Sequence, residues 1–316
     1  MTDLADFQQV LNKRPQPIRN LMNQNIQNYR QQHENMLMQI LNKTEFSAVQ
    51  LKEAILYSLF PGGKRIRPIL VYLFGKIIGV AEKTLDIIAV SIELMHTYSL
   101  VHDDLPAMDN DDYRRNQPSS HKTFGEATAI LVGDVLQTLA IDVLVKYLST
   151  ILPATQVIKI IQVIVAACGT TGMISGQYLD IVELSQTNIK LEQLKNIHSL
   201  KTGELFLACL NMVLIAGFPS TPIARYLNEY INRLGLVFQM QDDYLDHYGE
   251  IKDYGKNRAS DVVNKKFTFA NFYSKNDLFN QITTQFTAMK NSLAPFANQT
   301  QDLLALTRYL EQRTIF

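Results

Sequence analysis

Residues 85–104 read LDIIAVSIELMHTYSLVHDD. As a helix this stretch is apolar nearly all round, and a helix of that kind belongs inside a large helical core. Four of its polar residues form a pattern. Glu93, His96, Ser99 and Asp103 follow at spacings of 3, 3 and 4, which stacks them in one stripe. A second segment, Ile231 to Asp246, repeats the arrangement with Asn232, Gly235, Gln239, Asp242 and Asp246. Neither stripe contains Lys or Arg, whereas a solvated face usually carries both signs. The stripes are therefore expected to face a cavity or a ligand.

The rest of the chain agrees with a helical reading. Apolar residues recur at three and four spacing, as in Leu51, Ile55 and Leu59, and alternating runs are rare. Val163-Ile164-Val165 is β-branched, but its surroundings, Val157–Cys168, suit a buried helix. Breaks are expected near Pro61-Gly62-Gly63, Pro106, Pro118, Pro153, Gly217-Phe218-Pro219 and residues 248–255. The expected fold class is all-α, with ten or more helices in a single domain over 1–316. The polar segment 1–30 has no assigned role.

Composition narrows the function. Hydrophobic residues make up 47% of the chain, enough for a large core. Thirty basic against thirty acidic residues give zero net charge, which argues against a general affinity for nucleic acid or anionic membrane. No run of 18 uncharged apolar residues occurs, so no membrane span is expected. No apolar stretch of signal-peptide type opens the chain, and the two cysteines, Cys168 and Cys209, lie in apolar runs. Reduced thiols in the cytoplasm are the expectation.

The acidic residues cluster. Asp103, Asp104, Asp109, Asp111 and Asp112 fall within ten positions, and Asp242, Asp243 and Asp246 within five. Two carboxylates ~4 Å apart repel by roughly 4 kcal/mol at an effective dielectric near 20. Such clusters on apolar helices need a cation, and all-oxygen donors without cysteine suit Mg²⁺. Asp103 and Asp109 cannot aim at one point on a straight helix, since six residues rotate by about 600°. Pro106 ends the helix and lets the following turn return Asp109 to Asp103. Basic residues wait nearby: Gly62-Gly63 precede Lys64, Arg65 and Arg67, and Arg114-Arg115 follow the first acidic cluster. Acidic clusters for metals and basic groups for phosphates, in one helical cavity, imply a diphosphate substrate.

The chain resembles the short-chain trans-isoprenyl diphosphate synthases, specifically their bacterial farnesyl type. The resemblance rests on Gly62-Gly63-Lys64-Arg65-Ile66-Arg67-Pro68, on Asp103-Asp104 through Asp109 with Arg114-Arg115, and on Gly133-Asp134. It continues through Lys201-Thr202-Gly203, Gln239 through Asp246, Gly255-Lys256, Asp261 and Lys266-Phe267-Thr268. It implies the isoprenoid synthase fold around a central apolar cavity, and a homodimer. It implies several Mg²⁺ ions on Asp103, Asp109 and Asp242, with Asp104, Asp243 and Asp246 in support. Arg114, Lys201, Lys256 and Lys266 would hold an allylic diphosphate, and Lys64, Arg67, His96 and Arg115 isopentenyl diphosphate. Thr202 and Gln239 would face the allylic cation. Tyr98, with small Ser99 beside it, would floor the cavity and set a farnesyl product rather than a geranylgeranyl one. The C-terminus carries a single cation, Arg313, too few to expect it to close over the second substrate.

Other readings fit less well. A terpene cyclase would need an Asn/Ser/Glu-type second metal motif. A phosphohydrolase read from His102-Asp103 would need further metal-binding histidines, and the six present form no second cluster; a di-iron protein would need a second Glu-x-x-His after Glu93–His96, and none follows. A non-catalytic partner subunit of a prenyl synthase would be expected to lose one aspartate motif, and both are intact.

Overall fold

The computed structural model describes residues 23–60, 62–184, 189–249 and 266–314. Thirteen α-helices run through them: α1 (Gln24–Lys43), α2 (Val49–Leu59), α3 (Ile66–Ile78), α4 (Glu82–Asp103), α5 (Ser120–Phe124), α6 (Glu126–Val143), α7 (Ala154–Cys168), α8 (Met173–Glu183), α9 (Leu191–His198), α10 (Glu204–Gly217), α11 (Thr221–Tyr248), α12 (Lys275–Leu293) and α13 (Gln301–Glu311). The described strands are two residues each, β1 (Tyr113–Arg114) and β2 (Gln117–Pro118), paired antiparallel between α4 and α5. The all-α expectation holds, and the expected breaks fall between helices or at their caps.

The opening stretch forms the axis of the fold. Fifteen of the 22 residues of α4 are buried. α1, α2, α3, α6 and α10 all pack around it. A helix apolar on every side has nowhere else to go, and burial of its Ile, Leu and Val side chains contributes about 1.5–3 kcal/mol each. α11 packs against α10 and α12 on the far side of the cleft. Of the polar segment 1–30, the described part enters α1, where Ile26 is buried and the Asn23 side chain accepts from the Ile26 amide at 2.9 Å.

Four helical stretches reach the length and apolarity of a membrane span: Glu82–Asp103, Glu126–Leu148, Ala154–Glu183 and Leu191–Gly217. Length and composition alone give this result. The first is α4, mostly buried within the bundle. The third joins two helices, α7 and α8, across a Gly169–Gly172 break. Cys168 and Cys209 are buried free thiols, each pushed up to about 12 by burial.

Candidate active site

A polar cleft is built over the C-terminal end of α4. The helix stops at Asp103, and the turn through Pro106 folds back until the Asp109 amide donates to the Asp103 carbonyl at 2.9 Å. Asp109 thus returns beside Asp103, as the proline led the sequence to suggest. Asn110 follows with φ 53, a left-handed conformation that asparagine tolerates better than most residues. Asp104 is turned away and buried. It accepts from Arg114 Nε at 2.9 and 3.0 Å and from Arg114 Nη2, while Asp111 lies 3.3 Å from the same guanidinium. The β1–β2 hairpin, turning at Arg115 and Asn116 with φ 56 and 64, presents this Arg114 fork.

A π-helical turn, Ser199–Gly203, forms the next wall. Turns of this kind are frequent at functional sites. Thr202 Oγ1 donates to Gln239 Oε1 at 3.2 Å, and Lys201 Nζ to Asp180 Oδ2 at 2.8 Å. Lys266 Nζ bonds that same Asp180 oxygen at 2.8 Å and Asp109 Oδ1 at 2.8 Å. α8, which carries Asp180, lies so close to the turn that a Cβ on Gly176 would stand 2.2 Å from the Lys201 nitrogen. Burial works against the charge on Lys201, yet Asp180 and then Asp103 hold its ammonium above the usual range. Sequence reasoning does not single out Asp180. The signal available was an acid set between Leu179 and Ile181 in the mostly apolar run Met173–Val182.

α11 closes the cleft. Asp243 is a brace: Gln239 Nε2 donates to its Oδ1 at 2.9 Å and the Phe269 amide to its Oδ2 at 2.8 Å. Asp242 instead accepts from Arg313 Nη2 at 2.7 Å, and the Arg313 guanidinium lies 4.7 Å over the Phe238 ring. The one C-terminal cation, Arg313, therefore reaches the acidic wall. The second polar stripe is only partly a ligand face. Asn232 and Asp246 are exposed, and Gly235 packs against Gly203. A cavity of about 40 Å³ remains among Asp180, His198, Lys201, Gln239, Asp243 and Lys266.

The basic side lies at the start of α3. Arg67 Nη1 is 3.4 Å from His96 Nε2, and its guanidinium stacks 4.3 Å over the Phe206 ring. Burial first, and Arg67 second, hold His96 well below its ordinary value, so a neutral ring faces the guanidinium. Lys64 is exposed just before it. Deeper along α4, Tyr98 is buried at 6% exposure with its ring edge-on to His102 at 5.6 Å, and Ser99 Oγ donates back to the His96 carbonyl at 2.9 Å. Lys256 lies outside the described residues.

Among the described residues, no three Asp, Glu, His or Cys side chains converge closely enough to enclose a metal. The donors instead stand apart: Asp103 and Asp109 on one wall, Asp242 on the other. That division suits Mg²⁺, which binds through one or two carboxylates and completes its shell with water and substrate phosphates. The charge state of Asp103 carries the fit. Burial pushes its carboxyl up to about 6, opposed by Lys201 and reinforced by Asp109, and among the described residues it makes no ion pair. It is a carboxylate short of a cation.

Carboxylates and basic side chains gathered around one helical cleft define a class: all-α proteins with a charged cleft at the end of a central helix. The particular membership follows from comparison. Residues 48–302 match the polyprenyl synthetase family, and the chain belongs to it. It is 42% identical over 221 residues to a farnesyl diphosphate synthase of Haemophilus influenzae, covering 69% of this chain and 74% of that one. It is 38% identical over 272 residues to the farnesyl diphosphate synthase of Escherichia coli, covering 85% and 91%. The crystal structure of a geranyltransferase from Legionella pneumophila superposes with a TM-score of 0.85 at 49% identity, over 92% of this chain and 96% of that one. A Helicobacter pylori geranyltransferase solved with magnesium and isoprenyl diphosphate superposes at 0.77 with 31% identity, over 91% and 98%.

Proposed function

We infer that the protein is a cytoplasmic, Mg²⁺-dependent prenyltransferase that condenses isopentenyl diphosphate with dimethylallyl or geranyl diphosphate to give (2E,6E)-farnesyl diphosphate. The observation that carries this reading is an Asp103 carboxyl without an ion pair among the described residues, beside two separate groups of basic side chains. Arg114, Lys201 and Lys266 take the allylic diphosphate, and Lys64, Arg67, His96 and Arg115 take isopentenyl diphosphate. Magnesium held by Asp103, Asp109 and Asp242 would supply positive charge to the leaving diphosphate. The oxygens of Thr202 and Gln239, hydrogen-bonded to each other at 3.2 Å, would favour positive charge on the allylic carbon. The double bond of isopentenyl diphosphate then attacks that carbon, and the proton lost from the adduct goes to the departing diphosphate. The apolar walls must exclude water, which would otherwise trap the cation. Lys256 is kept in the allylic set by resemblance alone.

Tyr98 sits five residues before Asp103, ~7.5 Å further down the helix. Its buried ring supports a floor at the depth of a C15 chain. The test is product analysis after incubation with isopentenyl diphosphate, each allylic starter and Mg²⁺. C15 is expected from the native enzyme and C20 or longer from Tyr98→Ala. Native C20 would instead favour a geranylgeranyl diphosphate synthase, and no product at all a non-catalytic subunit. A homodimer is proposed as well, supported by the exposed apolar side chains Ile130, Leu131, Val145, Ile158, Val165 and Tyr178 along α6 to α8. Sedimentation of the purified protein at the mass of one chain would refute it.

A further inference from the structure

Lys64, Arg65 and Arg67 look alike in the sequence, three cations after two glycines. The structure separates them. The Arg65 side chain is wholly buried, Nη2 donates to the Leu59 carbonyl at 2.7 Å, and Nη1 donates to Glu93. Arg65 Nε lies 3.7 Å from Glu34 Oε1. One guanidinium thus joins the end of α2, the middle of α4 and α1. Its backbone is left-handed, with φ 54 and ψ 33 at the N-cap of α3. That conformation is unfavourable for a residue with a Cβ and persists only where the surroundings impose it. The loop is also wrapped around this side chain. Gly62 has φ 67, and a Cβ there would stand 2.3 Å from Arg65 Nη2.

Lys64 and Arg67, on either side of Arg65, are treated in the opposite way. Lys64 is exposed, and among the described residues neither makes an ion pair. Arg67 Nε has no hydrogen-bond partner among the described residues. Glu93 is the buried counter-charge beneath this group. Its burial opposes ionisation, but Arg65 first, then His96, His33 and Arg115, hold it down to about 2. Arg115 in turn lines the loop, 3.0 Å from where a Gly63 Cβ would be.

We propose that Glu93, acting through Arg65, is the positioning residue of the Gly62–Arg67 loop, fixing the left-handed turn that aims Lys64 and Arg67 at the diphosphate of isopentenyl diphosphate. Glu93 touches no substrate. Its carboxylate locks the Arg65 guanidinium, the guanidinium locks the loop, and the loop presents two uncompensated cations a few residues apart. The charge removed from the ligand pool at Arg65 is what makes the remaining two directional. This rests on the assignment of Lys64 and Arg67 to the isopentenyl diphosphate site made above.

The test is steady-state kinetics on Glu93→Gln, Arg65→Lys and Lys64→Ala, each substrate varied with the other saturating, beside thermal melts. Glu93→Gln and Arg65→Lys should each raise KM for isopentenyl diphosphate by about tenfold or more, the scale expected when a binding group is misplaced by ~1 Å. KM for the allylic diphosphate should stay within about twofold in both. A purely structural role would move both constants together, and that outcome overturns the proposal, as does an unchanged KM for isopentenyl diphosphate. Should the charge-removing Glu93→Gln fail to fold, Arg65→Lys keeps the buried charges balanced and decides alone. Gly62→Ala, which leaves the ion pair's chemistry intact, should show the same split. Lys64→Ala separates the two claims. If it leaves KM for isopentenyl diphosphate unchanged, the site assignment falls. If it raises that KM while Glu93→Gln and Arg65→Lys do not, the assignment stands and the positioning role is overturned.

Discussion

Glu93 and Asp103 lie ten residues apart on one helix, in the same polar stripe, and the fold treats them in opposite ways. Glu93 is deeply buried and fully answered by Arg65, so its carboxyl is held down to about 2. Asp103 is half-buried, and with no ion pair among the described residues desolvation pushes its carboxyl up to about 6. The same contrast separates Arg65 from Arg67. A compensated charge inside the protein works as architecture. An uncompensated one keeps its affinity for a ligand, and the protein carries the strain until that ligand arrives.

The largest effect expected from this contrast is catalytic. Asp103→Asn should reduce turnover in Mg²⁺ by about 10³-fold or more, equivalent to about 4 kcal/mol of transition-state stabilisation, and chelation should abolish the native activity. Near-normal turnover in a folded Asp103→Asn enzyme would show that Asp103 is not a metal ligand. Next comes stability. Glu93→Gln leaves Arg65 buried without its partner, and the loss should be about 3 kcal/mol in urea unfolding. A loss under about 0.5 kcal/mol would place Glu93 among solvated surface charges.

Much of this contrast could be read from residue spacing, and part of it could not. The all-α fold was legible because α4 has no polar face wide enough for solvent. The return of Asp109 was legible because a proline three residues after Asp103 leaves the chain little else to do. What spacing could not supply was who compensates whom. Glu93 was grouped with ligand-facing residues because its partner, Arg65, is 28 positions away in sequence, among other cations. Asp180 was missed because its two lysines come from distant segments. Arg313 stands alone near the chain end in sequence, although in space it meets Asp242. Pairing across the fold is a tertiary property, and periodicity carries no trace of it.

Asp180 offers a smaller test of the same idea. It holds Lys201 and Lys266 on one oxygen, so the two ammonium groups stand within about 5.6 Å of each other, each 2.8 Å from that oxygen. Asp180→Asn should release both and raise KM for the allylic diphosphate about tenfold, about 1.4 kcal/mol, with KM for isopentenyl diphosphate little changed. An equal rise for both substrates would mean that Asp180 supports the fold in general and not the allylic site.

The most direct test reads an effect of similar size. Asp103 has a carboxyl raised from 3.8 to about 6 in the folded chain. Between those values the folded state binds more protons than the unfolded state. Charging Asp103 therefore costs stability as pH rises through about 6, and that cost is absent near pH 4. Thermal melts of native enzyme and Asp103→Asn, both in EDTA, should show the variant more stable at pH 7 by on the order of 1–2 kcal/mol, with the difference shrinking toward zero as pH falls to about 4. A variant less stable than the native enzyme at pH 7, or a difference that does not change with pH, would mean that Asp103 is an ordinary compensated carboxylate and that the cleft holds no charge in waiting for a metal.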